Sequence, residues 1–358
     1  MSIVKEGVVK KIDSVVKEAL KELENYEGDS ITLKYFIKEV LSILHLRKVS
    51  YCLTWRTGML AKSLLAQQPY CEDKGDDIVH VISEYFNRYL RRNGCVNKID
   101  HIQNGEALIT LLQIAPNDNL KYLAETYVKY LLKARTDSEG SIPFLDGDDI
   151  YVDGLMVCPF MFMYNRYISR NSRLFELGII QIRNYMKYGV DNHTLMPYHG
   201  YNLKQNLHLG ISGWGRGVGW LLSSVASSLE YIDYIEAELD DVIKKFREIS
   251  LKCLVYQLNN GLFPWNIYVS NGPIDTSGTA MILYSVAKGI NLHILDNELK
   301  YNVLKGYYAL DQYILNGKVY QAMGDCRGFA MYPQTEYNSY PWSVSFLLLL
   351  DAEIKKWN

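Results

Sequence analysis

A chain of 358 residues, 48% of them hydrophobic and with a formal net charge of −2, holds enough apolar material for a large core, in one big domain or two ordinary ones. No basic block is present, so there is no electrostatic footprint for nucleic acid or for an anionic membrane, and neither is expected as a partner. Cysteines at 52, 71, 95, 158, 253 and 326 are scattered without a C-x-x-C pair, which argues for reduced thiols rather than a zinc or redox centre.

Residues 1–20 read as a charged amphipathic helix with Val8, Ile12, Val15, Val16 and Leu20 on one face. No apolar stretch with a cleavage site precedes it and no run reaches the length of a membrane span, so the expected location is the cytoplasm. Further along, residues 77–92, 120–134, 173–188, 235–257 and 297–315 have helical periodicity with a charged outer face. They alternate with stretches that are apolar nearly all round, at 105–114, 155–167, 217–229, 277–290 and 342–352, and helices of that second kind are buried. After each outer helix comes a turn signal and then apolar residues, as in Asn93-Gly94, Glu139-Gly140, Asn192-His193, Asn260-Gly261 and Asn316-Gly317. These junctions recur roughly every fifty to seventy residues, the length of a helical hairpin with its loops. With a first hairpin at 31–46 and 54–67 the series has six units. The expected fold is all-α, an (α/α)6 toroid in a single domain over residues 1–358, since no linker composition interrupts it.

In such a toroid the residues just before each inner helix meet at one rim. They are Trp55 and Arg56, Asp100 and His101, Asp153, Trp214, Arg216 and Trp220, Asp275 and Thr276, and Tyr340 and Trp342. That set supplies acids for proton transfer, aromatic surfaces for sugar rings and a guanidinium able to fork onto a carboxylate. Asp153 leads the candidates, because a carboxyl group left where a polar loop enters a buried helix suits a proton donor. Asp153 and Asp100 are also well placed to cap the helices that follow them, and His199 and Arg216 to be a hydrogen-bonded core histidine and a rim ion pair.

Four segments in this order resemble glycoside hydrolase families 88 and 105, the unsaturated glucuronyl and rhamnogalacturonyl hydrolases. They are Asp100-His101-Ile102 with Gly105, Asp153-Gly154-Leu155-Met156, Trp214-Gly215-Arg216-Gly217 with Gly219-Trp220, and Asp275-Thr276-Ser277-Gly278-Thr279-Ala280-Met281. The resemblance runs from about Thr54 to the end and takes in Tyr337-Asn338-Ser339-Tyr340-Pro341-Trp342. It implies a hydrolase that removes a Δ4,5-unsaturated uronate from the non-reducing end of lyase-generated oligosaccharides by hydrating a vinyl ether, with no metal or organic cofactor. By the same resemblance Asp153 protonates C4 and helps a water add at C5, and Asp100 orients the substrate and tunes Asp153. His199, Trp214, Arg216, Trp220, Asp275, Trp342 and Trp55 contact the sugar. Departures from the family pattern fall at Met156, Val218 and Asp275, and the stretch between the two acids is reduced to residues 135–140.

Other ligands fit less well. The glycines of 213–219 lack the lysine and hydroxyl residue of a phosphate loop, and Asp146, Asp148 and Asp149 lack the rest of a calcium loop. Two other function classes stay open on the same architecture: a sugar 2-epimerase, which needs a histidine pair such as His101, His199 or His208 could supply, and a glycan-binding protein without catalysis.

Overall fold

The computed structural model describes residues 2–26, 53–71, 74–92, 94–145, 147–233 and 238–357. Its α-helices, in chain order, are α1 (Ser2–Glu24), α2 (Trp55–Gln67), α3 (Gly75–Arg91), α4 (Gly105–Ile114), α5 (Asp118–Leu131), α6 (Cys158–Tyr167), α7 (Ser172–Asn184), α8 (Gly215–Leu229), α9 (Asp240–Leu254), α10 (Thr276–Asn291), α11 (Lys300–Leu310) and α12 (Pro341–Lys355). Helices α2, α4, α6, α8, α10 and α12 each pack on the next, and α12 returns onto α2, which closes an (α/α)6 ring. Every residue of α8 is buried, as its all-round apolar sequence requires, whereas α3 buries only Ile78, Val81, Ile82, Tyr85, Phe86 and Tyr89 toward the ring.

The outer position at the closure is taken by α1, which packs against α2, α3 and α12 through a face that buries Ile12, Val15, Val16, Ala19, Leu20 and Leu23. The helix expected at 31–46 lies outside the described residues, as does Cys52. Cys71, Cys158, Cys253 and Cys326 are free thiols, with Cys158 and Cys253 buried. No helix among the described residues is long and apolar enough to cross a membrane.

The ring interior is not wholly apolar. Lys62 of α2 meets Glu106 of α4 at 2.7 Å, and Lys288 of α10 bridges Glu230, at the end of α8, and Glu353 of α12 at 2.6 and 3.0 Å. Both lysines are buried, so these pairs cross-link neighbouring inner helices in a region of low dielectric.

Short antiparallel strands carry the rim. Strand β1 (Ile150–Tyr151) pairs with β2 (Gly200–Asn202), and β2 with β3 (Leu207–Leu209). Strands β4 (Ile314–Leu315) and β5 (Lys318–Val319) form a hairpin, and β6 (Ala322–Met323) pairs with β7 (Tyr337–Asn338). The hairpin turns on Asn316 and Gly317, with φ of 50° and 75°, the left-handed pair that a two-residue connection demands. A Cβ on Gly317 would lie 2.4 Å from the backbone oxygen of Ser14, so this turn seats directly on α1. Gly317→Ala should therefore cost about 2 kcal/mol from the positive φ and the forced separation from α1, seen as a melting temperature lowered by a few degrees. An unchanged melting curve would mean that the turn does not hold α1.

Candidate active site

Asp153 sits in a 3-10 turn (Val152–Val157) that leads straight into α6. That turn is tied to the three-stranded sheet: Tyr151 pairs with Gly200, and the Val152 N–H donates to the His199 carbonyl at 3.0 Å. A side chain at 200 would collide with the Ile150 carbonyl at 2.4 Å and the Phe329 ring at 2.7 Å, so only glycine lets the two segments come this close. The consequence is that His199 Nε2 stands 3.3 Å from Asp153 Oδ2.

His199 is only 3% exposed, and its Nδ1 lies 2.8 Å from the Tyr332 hydroxyl, which also accepts the Ile211 N–H at 3.2 Å. The approach of His199 to Asp153 is a close contact and not a hydrogen bond, for Asp153 Oδ2 is buried without a hydrogen-bond partner among the described residues. His199 therefore stands between the Tyr332 hydroxyl and the Asp153 carboxyl, bonded to the first and in close contact with the second.

The Asp153 side chain is 24% exposed and accepts no backbone N–H from any described residue, which removes the helix-cap explanation for it. Gln103 fixes its backbone instead, donating to the Asp153 carbonyl at 3.2 Å. Asp100 lies in the 3-10 turn (Ile99–Asn104) before α4 and likewise caps nothing among the described residues; its Oδ2 is 3.0 Å from Lys98 Nζ, and Oδ1 is buried with no partner among the described residues. Burial pushes the Asp100 carboxyl upward, Lys98 works against this, and the nearby Asp153 adds to it.

These groups surround a cleft of about 210 Å³. Of the candidate catalytic and sugar-contacting residues, Trp55, Asp100, Asp153, His199, Trp214, Arg216 and Trp220 line it. Asp275 and Trp342 do not. Asp275 is fully buried and is a helix cap, accepting the N–H and hydroxyl of Ser277 at 3.0 and 2.5 Å and the Met323 N–H at 3.1 Å. Trp342 lies behind the wall, stacked on Tyr340 and donating its indole N–H to the Met323 carbonyl at 3.2 Å.

Two expected contacts take a different form. The terminal nitrogens of Arg216 are already committed, Nη1 to the Met323 carbonyl at 2.5 Å and Nη2 to the Gly324 carbonyl at 2.7 Å, so the guanidinium pins β6 to the cleft wall. Trp214 is enclosed by the Arg216 guanidinium, 5.0 Å from its ring, and by His199 at 4.5 Å, while Trp220 packs edge-on to Trp55 and Phe346. Trp55 is the half-exposed tryptophan of the three and offers the accessible ring surface.

The cleft also contains residues that sequence reasoning did not single out: Lys98, Gln103, Phe144, Leu145, Tyr151, Asp325 and Cys326. Lys98 and Tyr151 stand two residues before the proposed acids, a proximity that could have drawn attention to them. Asp325, Cys326 and Tyr332 come from the irregular 324–336 segment, which has no periodicity to read. The departures at Met156 and Val218 are core positions; Met156 Sδ accepts from the Ser224 hydroxyl inside the ring. His101 is buried and accepts the Asn97 N–H, and burial lowers its pKa to about 4, so it is neutral and outside the cleft. His208 stacks on Tyr198 at the surface. Asp148 is paired with Arg135 and Lys204, and Asp149 accepts from Asn202, while Asp146 lies outside the described residues.

The family model described as Glycosyl Hydrolase Family 88 matches residues 33–357. Among solved structures, a possible member of family GH105 from Klebsiella pneumoniae subsp. pneumoniae MGH 78578 superposes with a TM-score of 0.83 at 14% identity, covering 98% of this chain and 94% of that one. A family 105 glycoside hydrolase from C. acetobutylicum ATCC 824 gives 0.75 at 19% identity over 89% and 98%. The unsaturated glucuronyl hydrolase of Bacillus sp. GL1, responsible for the degradation of glycosaminoglycan, gives 0.74 at 13% identity over 99% and 96%. At these identities the likeness establishes the fold.

Proposed function

The chain belongs to glycosyl hydrolase family 88, and from that premise we propose that this glycosidase removes a Δ4,5-unsaturated uronate from the non-reducing end of an oligosaccharide by hydrating the C4=C5 double bond. The observation that carries the reading is the Tyr332–His199–Asp153 chain opening into a cleft that also contains Asp100. Protonation of carbon demands an acid held in one place, and here the sheet register, Gln103 and His199 hold it.

On this reading the proton on Asp153 goes to C4 and the electron pair of the double bond forms the new C4–H bond. Water adds at C5, its lost proton returning to the Asp153 carboxylate, and the C5 hemiketal opens to a ketone. The hemiacetal left at C1 then expels the leaving sugar as an alcohol, giving a 4-deoxy-5-keto uronate. Asp100 and Lys98 position the sugar, and Trp55 supplies the apolar surface beneath it. A 2-epimerase is disfavoured because His199 is the one histidine lining the cleft among the described residues. The relatives' names place unsaturated glucuronyl hydrolases on the same fold, which agrees with this substrate class.

The test is the ultraviolet absorbance of the conjugated uronate when the protein is mixed with lyase-generated oligosaccharides from several acidic polysaccharides. Loss of absorbance with release of the leaving sugar supports the reading. Sugar affinity without turnover on any of them would point to a glycan-binding protein instead.

A further inference from the structure

We infer that Lys98 is the residue that recognises the carboxylate of the sugar in the cleft, in place of Arg216; the inference rests on the hydrolase reading above. An acidic sugar entering this cleft meets three carboxyl groups, Asp100, Asp153 and Asp325, of which Asp325 is already paired with Arg56, and like charges brought together without a counter-charge are strongly unfavourable. A cation with hydrogen bonds to spare is needed. Among the described residues, Lys98 and Arg216 are the lysine and arginine lining the cleft.

Arg216 is poorly suited to the task. It is buried, its two terminal nitrogens donate to the carbonyls of Met323 and Gly324, and Asp275 lies 3.9 Å away on its inner side. Turning the guanidinium to a ligand would strand two buried carbonyls and release β6. Arg56, farther out, is paired with Asp325 at 2.6 Å.

Lys98 has the opposite properties. Its ammonium carries three donors, and Asp100 Oδ2 at 3.0 Å takes one of them. The side chain is 44% exposed, so its tip can move, while its root is fixed. The Lys98 carbonyl accepts the His101 N–H at 3.3 Å, and the neutral imidazole of the buried His101 accepts the N–H of the adjacent Asn97. A mobile cation on a rigid base, already leaning on one acid of the cleft, can bridge Asp100 and a sugar carboxylate at once.

The experiment compares an unsaturated uronide with its C6 methyl ester, both of which keep the absorbing double bond, in the wild-type protein, Lys98→Met and Lys98→Arg. The wild type should prefer the free acid by about 30-fold, mostly through KM, the size of one charge-assisted hydrogen bond. Lys98→Met should treat the two substrates alike, and Lys98→Arg should keep most of the preference. Any general loss of rate in Lys98→Met from leaving Asp100 unpaired cancels in the ratio. An acid preference that survives in Lys98→Met, or a wild type that does not discriminate, would overturn the assignment while leaving the hydrolase reading intact. A wild type that turns over neither compound would sink both.

Discussion

Replacing Asp153 with Asn should lower turnover of an unsaturated uronide by about 10³-fold, within the range that a positioned general acid contributes. The substitution keeps the shape of the side chain, and Oδ2 makes no hydrogen bond among the described residues for the variant to lose, so the melting temperature should move by no more than a degree or so. What is lost is the transferable proton alone. Full activity in Asp153→Asn would show that the acid has been misassigned, whatever the substrate. Asp100 allows a second readout. Its carboxyl is held above the ordinary range by burial, with Lys98 pulling it back, so an acid limb governed by Asp100 in the pH profile should begin above the usual carboxylate range. Lys98→Met removes the opposing cation and should move that limb to still higher pH. A shift to lower pH would contradict the electrostatic account of the pair.

The largest stability effect is expected at the opposite kind of site, where charge is buried for structure. Lys288→Met leaves Glu230 and Glu353 facing each other's charge inside the ring, and breaking a buried ion pair from one side costs about 3–5 kcal/mol. For a chain of this length that corresponds to a melting temperature lower by roughly 5 °C. Replacing the charged partners together by apolar residues should recover much of it, because the loss comes from the stranded carboxylates. The same network makes the protein acid-sensitive. Burial alone would raise Glu353, but Lys288 and Lys356 and the hydrogen bond from Asn291 outweigh it and hold the group at about 2. Its folded value is depressed, so its contribution is present above the ordinary glutamate range and is lost as pH falls toward about 2. Melting curves taken down that range should show the wild type losing stability more steeply than a Glu353→Gln variant.

Much of the architecture was legible in the chain. Alternating amphipathic and wholly apolar helices are a local pattern, and burial of the second kind inside the first follows directly from the hydrophobic effect. Rim junctions were legible for the same reason, since Trp55, Asp100, Asp153 and Trp214 stand where inner helices begin and the ring brings those starts to one end. The segment match extended this by showing which junction residues travel together.

What the sequence by itself determined, then, is the helical repeat, its closure into a toroid and the identity of the end that holds the cleft, because each depends on periodicity along the chain. Which junction residues face the cleft was decided by tertiary structure. Asp275 and Asp153 are both acids at a helix start, yet Oδ1 of the first accepts from Ser277 and Met323 behind the wall while the second caps nothing and lines the cleft, and that depends on where residues far away in sequence come to rest. The terminal nitrogens of Arg216 are taken by the carbonyls of Met323 and Gly324 in the same way. Tyr332 meets His199 only because an irregular segment folds back over it. Hydrogen-bond donors and acceptors are satisfied across space, whereas hydrophobic period is written along the chain, and a single sequence displays only the second.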